Sequence, residues 1–238
     1  MSADRIIVAL DTSTAADAIA LAHGLRGRAR WVKVGMTLFY AEGPLVVTAL
    51  RALGFDVFID LKLHDIPHQV RGAAASLAKL DAGIITVHCS GGAAMIESAV
   101  TGAREGAEAA GLEPPAVIGV TVLTSHDDAG LAELGLSRGA ADQAELLARL
   151  AMGAGADGVV CSPHEAAAMR GIVGDGLVIT PGVRPRGAEV GDQSRVATPA
   201  AALAAGASHI VVGRPITAAA DPAAAFEAIA REVRATDE

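Results

Sequence analysis

Short apolar runs rich in β-branched residues recur along the chain, each followed by a polar or glycine-bearing turn and then by an alanine- and leucine-rich stretch. Short β-branched runs bounded by turn residues read as strands, and longer stretches with a period near 3.6 read as helices. The pattern predicts strands at 5–10, 31–35, 56–61, 84–88, 116–122, 158–161, 177–180 and 209–212. Helices are expected near 14–25, 44–53, 67–80, 92–110, 141–153, 163–171, 198–204 and 222–234. Pro44, Pro67, Pro163 and Pro222 suit first helical turns, where a missing N–H costs nothing. Gly54, Gly111 and Gly206 stand where a left-handed cap closes a helix. The one long connection, 125–140, carries Asp127, Asp128 and Gly130 and is expected to hold a short helical turn.

Eight strand-then-helix units fill 238 residues with no low-complexity linker or composition break to divide them. That arrangement predicts an α/β fold, a (β/α)8 TIM barrel forming a single domain over 1–238. The alternative is an open doubly wound sheet. Such a sheet usually carries a glycine fingerprint after its first strand, and Leu10-Asp11-Thr12-Ser13-Thr14 has none.

Several charges sit inside the strand runs, where a folded core has no use for them. In Asp56-Val57-Phe58-Ile59-Asp60-Leu61-Lys62-Leu63 alternation puts Val57, Ile59, Leu61 and Leu63 on one face and Phe58, Asp60 and Lys62 on the other. The aliphatic face packs against the helices of a barrel, so Asp60 and Lys62 point inward near the C-terminal mouth, where barrel enzymes place their chemistry. Asp11 follows strand one in register with Ile7 and Ala9, and Lys33 shares a face with Trp31 and Gly35. Three adjacent strands thus deliver Asp11, Lys33, Asp60 and Lys62 to one mouth, with Asp65 just beyond. A self-satisfied internal ion pair is the plain alternative. Buried pairs stabilise folds weakly, however, so folding alone does not call for several of them.

The last two loops add a second signature. Pro181-Gly182-Val183-Arg184-Pro185 follows strand seven, a polar loop runs on to Asp192-Gln193, and Val212-Gly213-Arg214-Pro215 ends strand eight. Glycine lets backbone N–H groups approach an anion, arginine offers a planar fork, and loops seven and eight are where barrels often hold phosphate. Turn geometry and surface charge explain each residue singly. Their joint placement favours a phosphate site.

Composition narrows the partners. Nineteen basic against twenty-seven acidic residues give a net charge of −8, which argues against nucleic acid and anionic membranes as partners. Cys89 and Cys161 are isolated and form neither a metal spacing nor a disulfide framework, as expected of a reducing compartment. The run Ile6-Ile7-Val8-Ala9-Leu10 is too short for a signal peptide and no stretch approaches a membrane span, so a cytoplasmic protein is expected. His64, Asp65, His68 and His88 match no zinc spacing, and no metal site is expected.

The string Asp60-Leu61-Lys62-Leu63-His64-Asp65-Ile66-Pro67 resembles the Asp-x-Lys-x-x-Asp signature of the orotidine 5′-phosphate decarboxylases in their short bacterial form. The likeness continues through Ala9-Leu10-Asp11, Lys33-Val34-Gly35, Thr86-Val87-His88, Thr121-Val122-Leu123-Thr124-Ser125, Pro181-Gly182-Val183-Arg184-Pro185, Asp192-Gln193 and Val212-Gly213-Arg214-Pro215. It departs at His68-Gln69, where many relatives carry Asn-Thr, a difference that bears on contacts around the ribose. The resemblance implies conversion of orotidine 5′-monophosphate to uridine 5′-monophosphate (UMP) and carbon dioxide in pyrimidine synthesis, with neither metal nor organic cofactor. It implies a charged catalytic network of Lys33, Asp60, Lys62 and Asp65, with Lys62 the proton donor. Asp11 and Lys33 would hold the ribose, and Thr124 would face the pyrimidine. Arg184, Gln193, Gly213 and Arg214 would hold the phosphate. It also implies a homodimer with shared active sites, Asp65 and Ile66 crossing into the partner's site.

Two rivals stand beside this reading, and a structural or interaction protein comes last because it explains neither the inward charges nor the phosphate loops. A magnesium-dependent sugar-phosphate decarboxylase or aldolase of a related barrel family also carries an Asp-x-Lys-x-x-Asp string, and insensitivity to EDTA would set it aside. A non-catalytic phosphate-binding barrel would keep Gly213 and Arg214 but has no reason to hold two lysines and three aspartates at its mouth.

Overall fold

Every predicted strand forms, and all eight close into one parallel barrel in sequence order. They are β1 (Ile6–Ala9), β2 (Trp31–Gly35), β3 (Asp56–Leu63), β4 (Ile84–His88), β5 (Ala116–Val120), β6 (Gly158–Val160), β7 (Leu177–Thr180) and β8 (His209–Val212). The structure, a computed structural model, describes residues 2–185 and 197–235.

Two apolar layers follow from strand alternation. Ile7, Ala9, Phe58, Ile84, Ile118, Ile179 and Val211 fill the barrel, while Val57, Ile59, Leu61 and their counterparts on other strands pack outward against the helices. Trp31 plugs the N-terminal end, edge-on to His209 with ring centroids 6.2 Å apart. A Cβ at Gly83 would lie 2.6 Å from the Trp31 ring, so only glycine leaves room for the plug. Burial, helped by Arg5 and Arg30, pushes His209 down to about 4, which keeps it neutral inside the barrel. With the bottom filled, the C-terminal mouth is left as the place for a ligand.

The outer ring comprises α1 (Ala15–Leu25), α2 (Met36–Glu42), α3 (Leu45–Ala52), α4 (Pro67–Ala78), α5 (Ala93–Ala110), α6 (Asp128–Glu133), α7 (Ala140–Gly153), α8 (Ala166–Val173), α9 (Pro199–Ala204), α10 (Arg214–Thr217) and α11 (Pro222–Arg234). The short turn expected in 125–140 is α6, capped by the Asp127 side chain on the Gly130 N–H. Two helices escaped the sequence reading. Both α2 and α10 are short, follow a strand directly, and start at Gly35 and Gly213 without a side-chain cap. The helix expected at 163–171 begins instead as a 3-10 turn, Pro163–Glu165, held by a capping box between Ser162 and Glu165. Among the described residues, no helix is long and apolar enough to cross a membrane.

Candidate active site

At the mouth, the register sets Ala9 level with Lys33, Lys33 with Phe58, and Gly35 with Asp60. Lys33 therefore lies one layer below Asp60, and its chain reaches up between two carboxylates. Its Nζ is 3.0 Å from Asp11 Oδ1 and 3.5 Å from Asp60 Oδ2. On the other side of Asp60, Lys62 Nζ donates to Oδ1 at 2.9 Å. Asp11, Lys33, Asp60 and Lys62 thus form an unbroken row of alternating charge. Gly35 makes room for it, since a Cβ there would lie 3.1 Å from both Asp11 Oδ1 and Lys33 Nζ.

Simple alternation does not describe how Lys62 joins the row. The β3–β4 register runs Ile59 to Ile85 and then Leu63 to Val87, so Asp60, Leu61 and Lys62 face the single residue Thr86. In this bulge Lys62 adopts a left-handed backbone, φ 53°. Such a conformation costs a non-glycine residue about 1–3 kcal/mol and gathers at functional sites. The buried Thr86 hydroxyl accepts the Lys62 backbone N–H at 2.9 Å and donates to Asp60 Oδ1 at 3.0 Å.

Burial alone would discharge both inner members of the row, but their neighbours prevail. For Lys33, burial is outweighed by Asp60 and Asp11, which raise its pKa. For Asp60, burial is outweighed by Lys33 and Lys62, with hydrogen bonds from Lys62 and Thr86, and its carboxyl is held below the usual range. Both stay charged at neutral pH.

The row forms one wall of a cavity of about 290 Å³. Phe58, Val120, Val160 and Val211 supply an apolar floor, and Val122, Leu123 and Thr124 a side wall. Pro181, Gly182, Arg184, Gly213 and Arg214, from the loops after β7 and β8, line the rest, and a Cβ at Gly213 would lie 3.7 Å from Asp11 Oδ2. Arg184 is buried, and its Nη1 donates to the Val183 carbonyl at 3.0 Å. Val183 pairs with Ala197, which accepts the Arg184 N–H at 3.0 Å and fixes that arginine's backbone beside the cavity. Cys161 also lines the space, with its thiol pushed up by burial and Glu165, so it remains an unreactive thiol.

The cavity therefore gathers Asp11, Lys33, Asp60, Lys62, Thr124, Arg184, Gly213 and Arg214 from the expected set. Asp65 and Ile66 do not join it. Both are exposed on the loop after β3, where Asp65 Oδ1 accepts the Ile66 N–H at 2.6 Å. Gln193 lies outside the described residues. His64 and His88 pack ring to ring, centroids 5.4 Å apart, and among the described residues no group of three or more His, Cys, Asp or Glu side chains could hold a metal ion. Thr86 is the member that sequence reasoning did not assign a role. Its inward register two residues after Ile84 was the available signal.

A family model described as "Orotidine 5'-phosphate decarboxylase / HUMPS family" matches residues 4–229. The chain belongs to that family. A protein named orotidine 5′-phosphate decarboxylase from Paramagnetospirillum magneticum is 50% identical over 96% of this chain and 97% of its own length. Another of that name, from Alkalilimnicola ehrlichii, is 51% identical over the full length of both. The crystal structure of orotidine 5′-phosphate decarboxylase from Lactobacillus acidophilus superposes with a TM-score of 0.85 at 42% identity, covering 97% of this chain and 99% of that one. As a member of the orotidine 5′-phosphate decarboxylase family with relatives this similar, the chain is an enzyme, a carboxy-lyase.

Proposed function

We propose that the chain converts orotidine 5′-monophosphate to UMP and carbon dioxide in pyrimidine synthesis, using neither metal nor organic cofactor. The observation that carries this reading is the alternating row Asp11, Lys33, Asp60, Lys62 in the same cavity as Arg184 and Arg214. The two arginines suit a phosphate, and the Asp11–Lys33 pair suits ribose hydroxyls. A planar pyrimidine fits the apolar space beside Thr124, with its carboxylate directed at Asp60 and Lys62. Gln193, Gly213 and Ile66 complete the expected substrate contacts.

In the reaction, the bond from C6 to the carboxylate breaks and its electron pair remains on C6, in an orbital the ring delocalises poorly. Carbon dioxide leaves. Lys62 then gives an ammonium proton to C6, forming the C6–H of UMP, and recovers a proton from solvent. Charges fixed in advance near the departing carboxylate and the developing carbanion supply this kind of catalysis, because they need no reorganisation as charge moves. Two unit charges 4 Å apart interact by about 4 kcal/mol at an effective dielectric near 20, so a row of four has leverage on the barrier. Binding of the remote phosphate supplies energy for orienting and desolvating the ring.

A homodimer with shared sites belongs to the same proposal. Within one chain the row is balanced, two lysines against two aspartates. Asp65 from a second copy would tip it to net negative and complete the four-residue catalytic set of Lys33, Asp60, Lys62 and Asp65. Exposed apolar side chains beside the β2 and β3 loops are consistent with a partner there: Ile66 is 61% exposed, Tyr40 72% and Leu45 77%.

The test is the loss of orotidine 5′-monophosphate absorbance with EDTA-treated protein. Undiminished turnover after chelation is expected. Activity that returns only with magnesium, or turnover of a sugar phosphate in place of the nucleotide, would move the assignment to the magnesium-dependent barrel enzymes.

A further inference from the structure

The β3 bulge needs something to hold it, and a single hydroxyl does so. Three residues of β3, including Asp60 and Lys62, face Thr86 alone across the β3–β4 register. A regular ladder would satisfy the Lys62 N–H with a β4 carbonyl. Here it goes to Thr86 Oγ1 at 2.9 Å, and the same hydroxyl uses its one proton on Asp60 Oδ1 at 3.0 Å. Asp60 Oδ1 also receives Lys62 Nζ at 2.9 Å, so hydroxyl, carboxylate and ammonium close a ring through the Lys62 main chain. Thr86 is buried, and it is not among the residues lining the cavity.

We propose that Thr86 is a positioning residue for the decarboxylation, one hydroxyl that pins both the left-handed backbone of Lys62 and the carboxylate plane of Asp60. It acts through those two residues and leaves substrate binding to others, and it rests on the proposed roles of Asp60 and Lys62. Threonine suits the post because its hydroxyl is both donor and acceptor, while its β-branch keeps χ1 in few states and suits a strand. Valine has nearly the same shape and neither capability. Without the hydroxyl, the Lys62 N–H loses its partner, the bulge is free to relax, and the Asp60–Lys62 separation is set by two side chains alone.

The experiment is steady-state kinetics on orotidine 5′-monophosphate for wild type, Thr86→Val, Thr86→Ser and Lys62→Ala, with melting temperatures for all four. Misplacing a catalytic group by about 1 Å can cost on the order of 100-fold in rate. Thr86→Val is therefore expected to lose about 100-fold in kcat with KM changed less than about threefold, and Thr86→Ser to stay within about fivefold of wild type in kcat. A merely structural threonine would lower the melting temperature and leave kcat of the folded enzyme unchanged. That result, with Lys62→Ala inactive, would overturn the inference and leave the proposed reaction standing. If Lys62→Ala turns over like wild type, or wild type does not turn over the nucleotide, the underlying reading fails and the inference goes with it. Should Thr86→Val not fold, Thr86→Ala against Thr86→Ser carries the same comparison, because those two differ by the hydroxyl alone.

Discussion

Replacing Asp60 with asparagine removes one charge from the middle of the row and leaves its shape intact. Asp60 faces Lys33 at 3.5 Å and Lys62 at 2.9 Å. At an effective dielectric near 20 these contacts amount to roughly 5 and 6 kcal/mol of gross attraction. Most of that is offset by the cost of burying the three charges. An asparagine oxygen can keep the bonds from Lys62 and Thr86, but its NH2 then points at Lys33. Lys33 retains Asp11, and Lys62, with 23% of its side chain exposed, can turn towards water. These escapes place the net loss near the lower end for a broken buried pair, about 2–4 kcal/mol. For a domain of this size that lowers the melting temperature by about 5–15 °C.

The pH dependence supplies an internal control. The Asp60 carboxyl is held below its ordinary value, so its stabilisation is present above about pH 4 and is lost as pH falls through the folded value. The gap between wild type and Asp60→Asn should therefore narrow below about pH 4. Lys33 is raised, so its contribution is full below about pH 10.4 and is lost as pH rises through its folded value. Asp60→Asn removes one cause of that rise, so its alkaline loss should be smaller than that of wild type. Differential scanning fluorimetry across pH 3 to 11 reads all three effects. A variant that melts at or above wild type at pH 7, or a gap that stays constant down to pH 3, would show that the Asp60 charge does not stabilise the row.

Three further outcomes are expected. Arg214→Ala should raise KM for the nucleotide by about 10- to 100-fold, the equivalent of one charge-assisted hydrogen bond to phosphate, and unchanged saturation would remove that role. Gly35→Ala has an ordinary backbone, φ −89° and ψ 179°, but places a Cβ 3.1 Å from Asp11 Oδ1 and Lys33 Nζ. It should keep its melting temperature within about 4 °C while weakening UMP binding at least about threefold, measured by calorimetry. Mixed Lys62→Ala and Asp65→Ala chains should recover up to roughly a quarter of wild-type activity through dimers with one intact site, and no recovery after verified subunit exchange would contradict shared sites.

Strand alternation made much of this site legible without coordinates. Phe58, Asp60 and Lys62 read as one face of β3, and Trp31, Lys33 and Gly35 as one face of β2, because a period of two needs only the strand to be recognised. The loops after β7 and β8 were legible for a similar reason, since Arg184 and Arg214 stand beside glycines at strand ends. Other features depend on relations between strands, which a linear pattern does not carry. The left-handed Lys62 arises from the β3–β4 register, and Thr86 acquires its role only because three residues face it. α2 and α10 begin without side-chain caps, and although Pro215 stands in the first turn of α10, four residues are too few to show a helical period. Asp65 reads as part of the mouth by position, yet the turn before α4 exposes it away from its own cavity, and the resemblance to the family supplied the idea that it serves a second copy.

The proposed reaction turns on Lys62 delivering the proton to C6. The decisive measurement is turnover of orotidine 5′-monophosphate by Lys62→Ala beside wild type, with UMP affinity measured for both proteins. No measurable turnover by the variant is expected, with a fold retained at the assay temperature and UMP affinity within about tenfold, because phosphate and ribose contacts remain. Near-wild-type turnover by folded Lys62→Ala would contradict it.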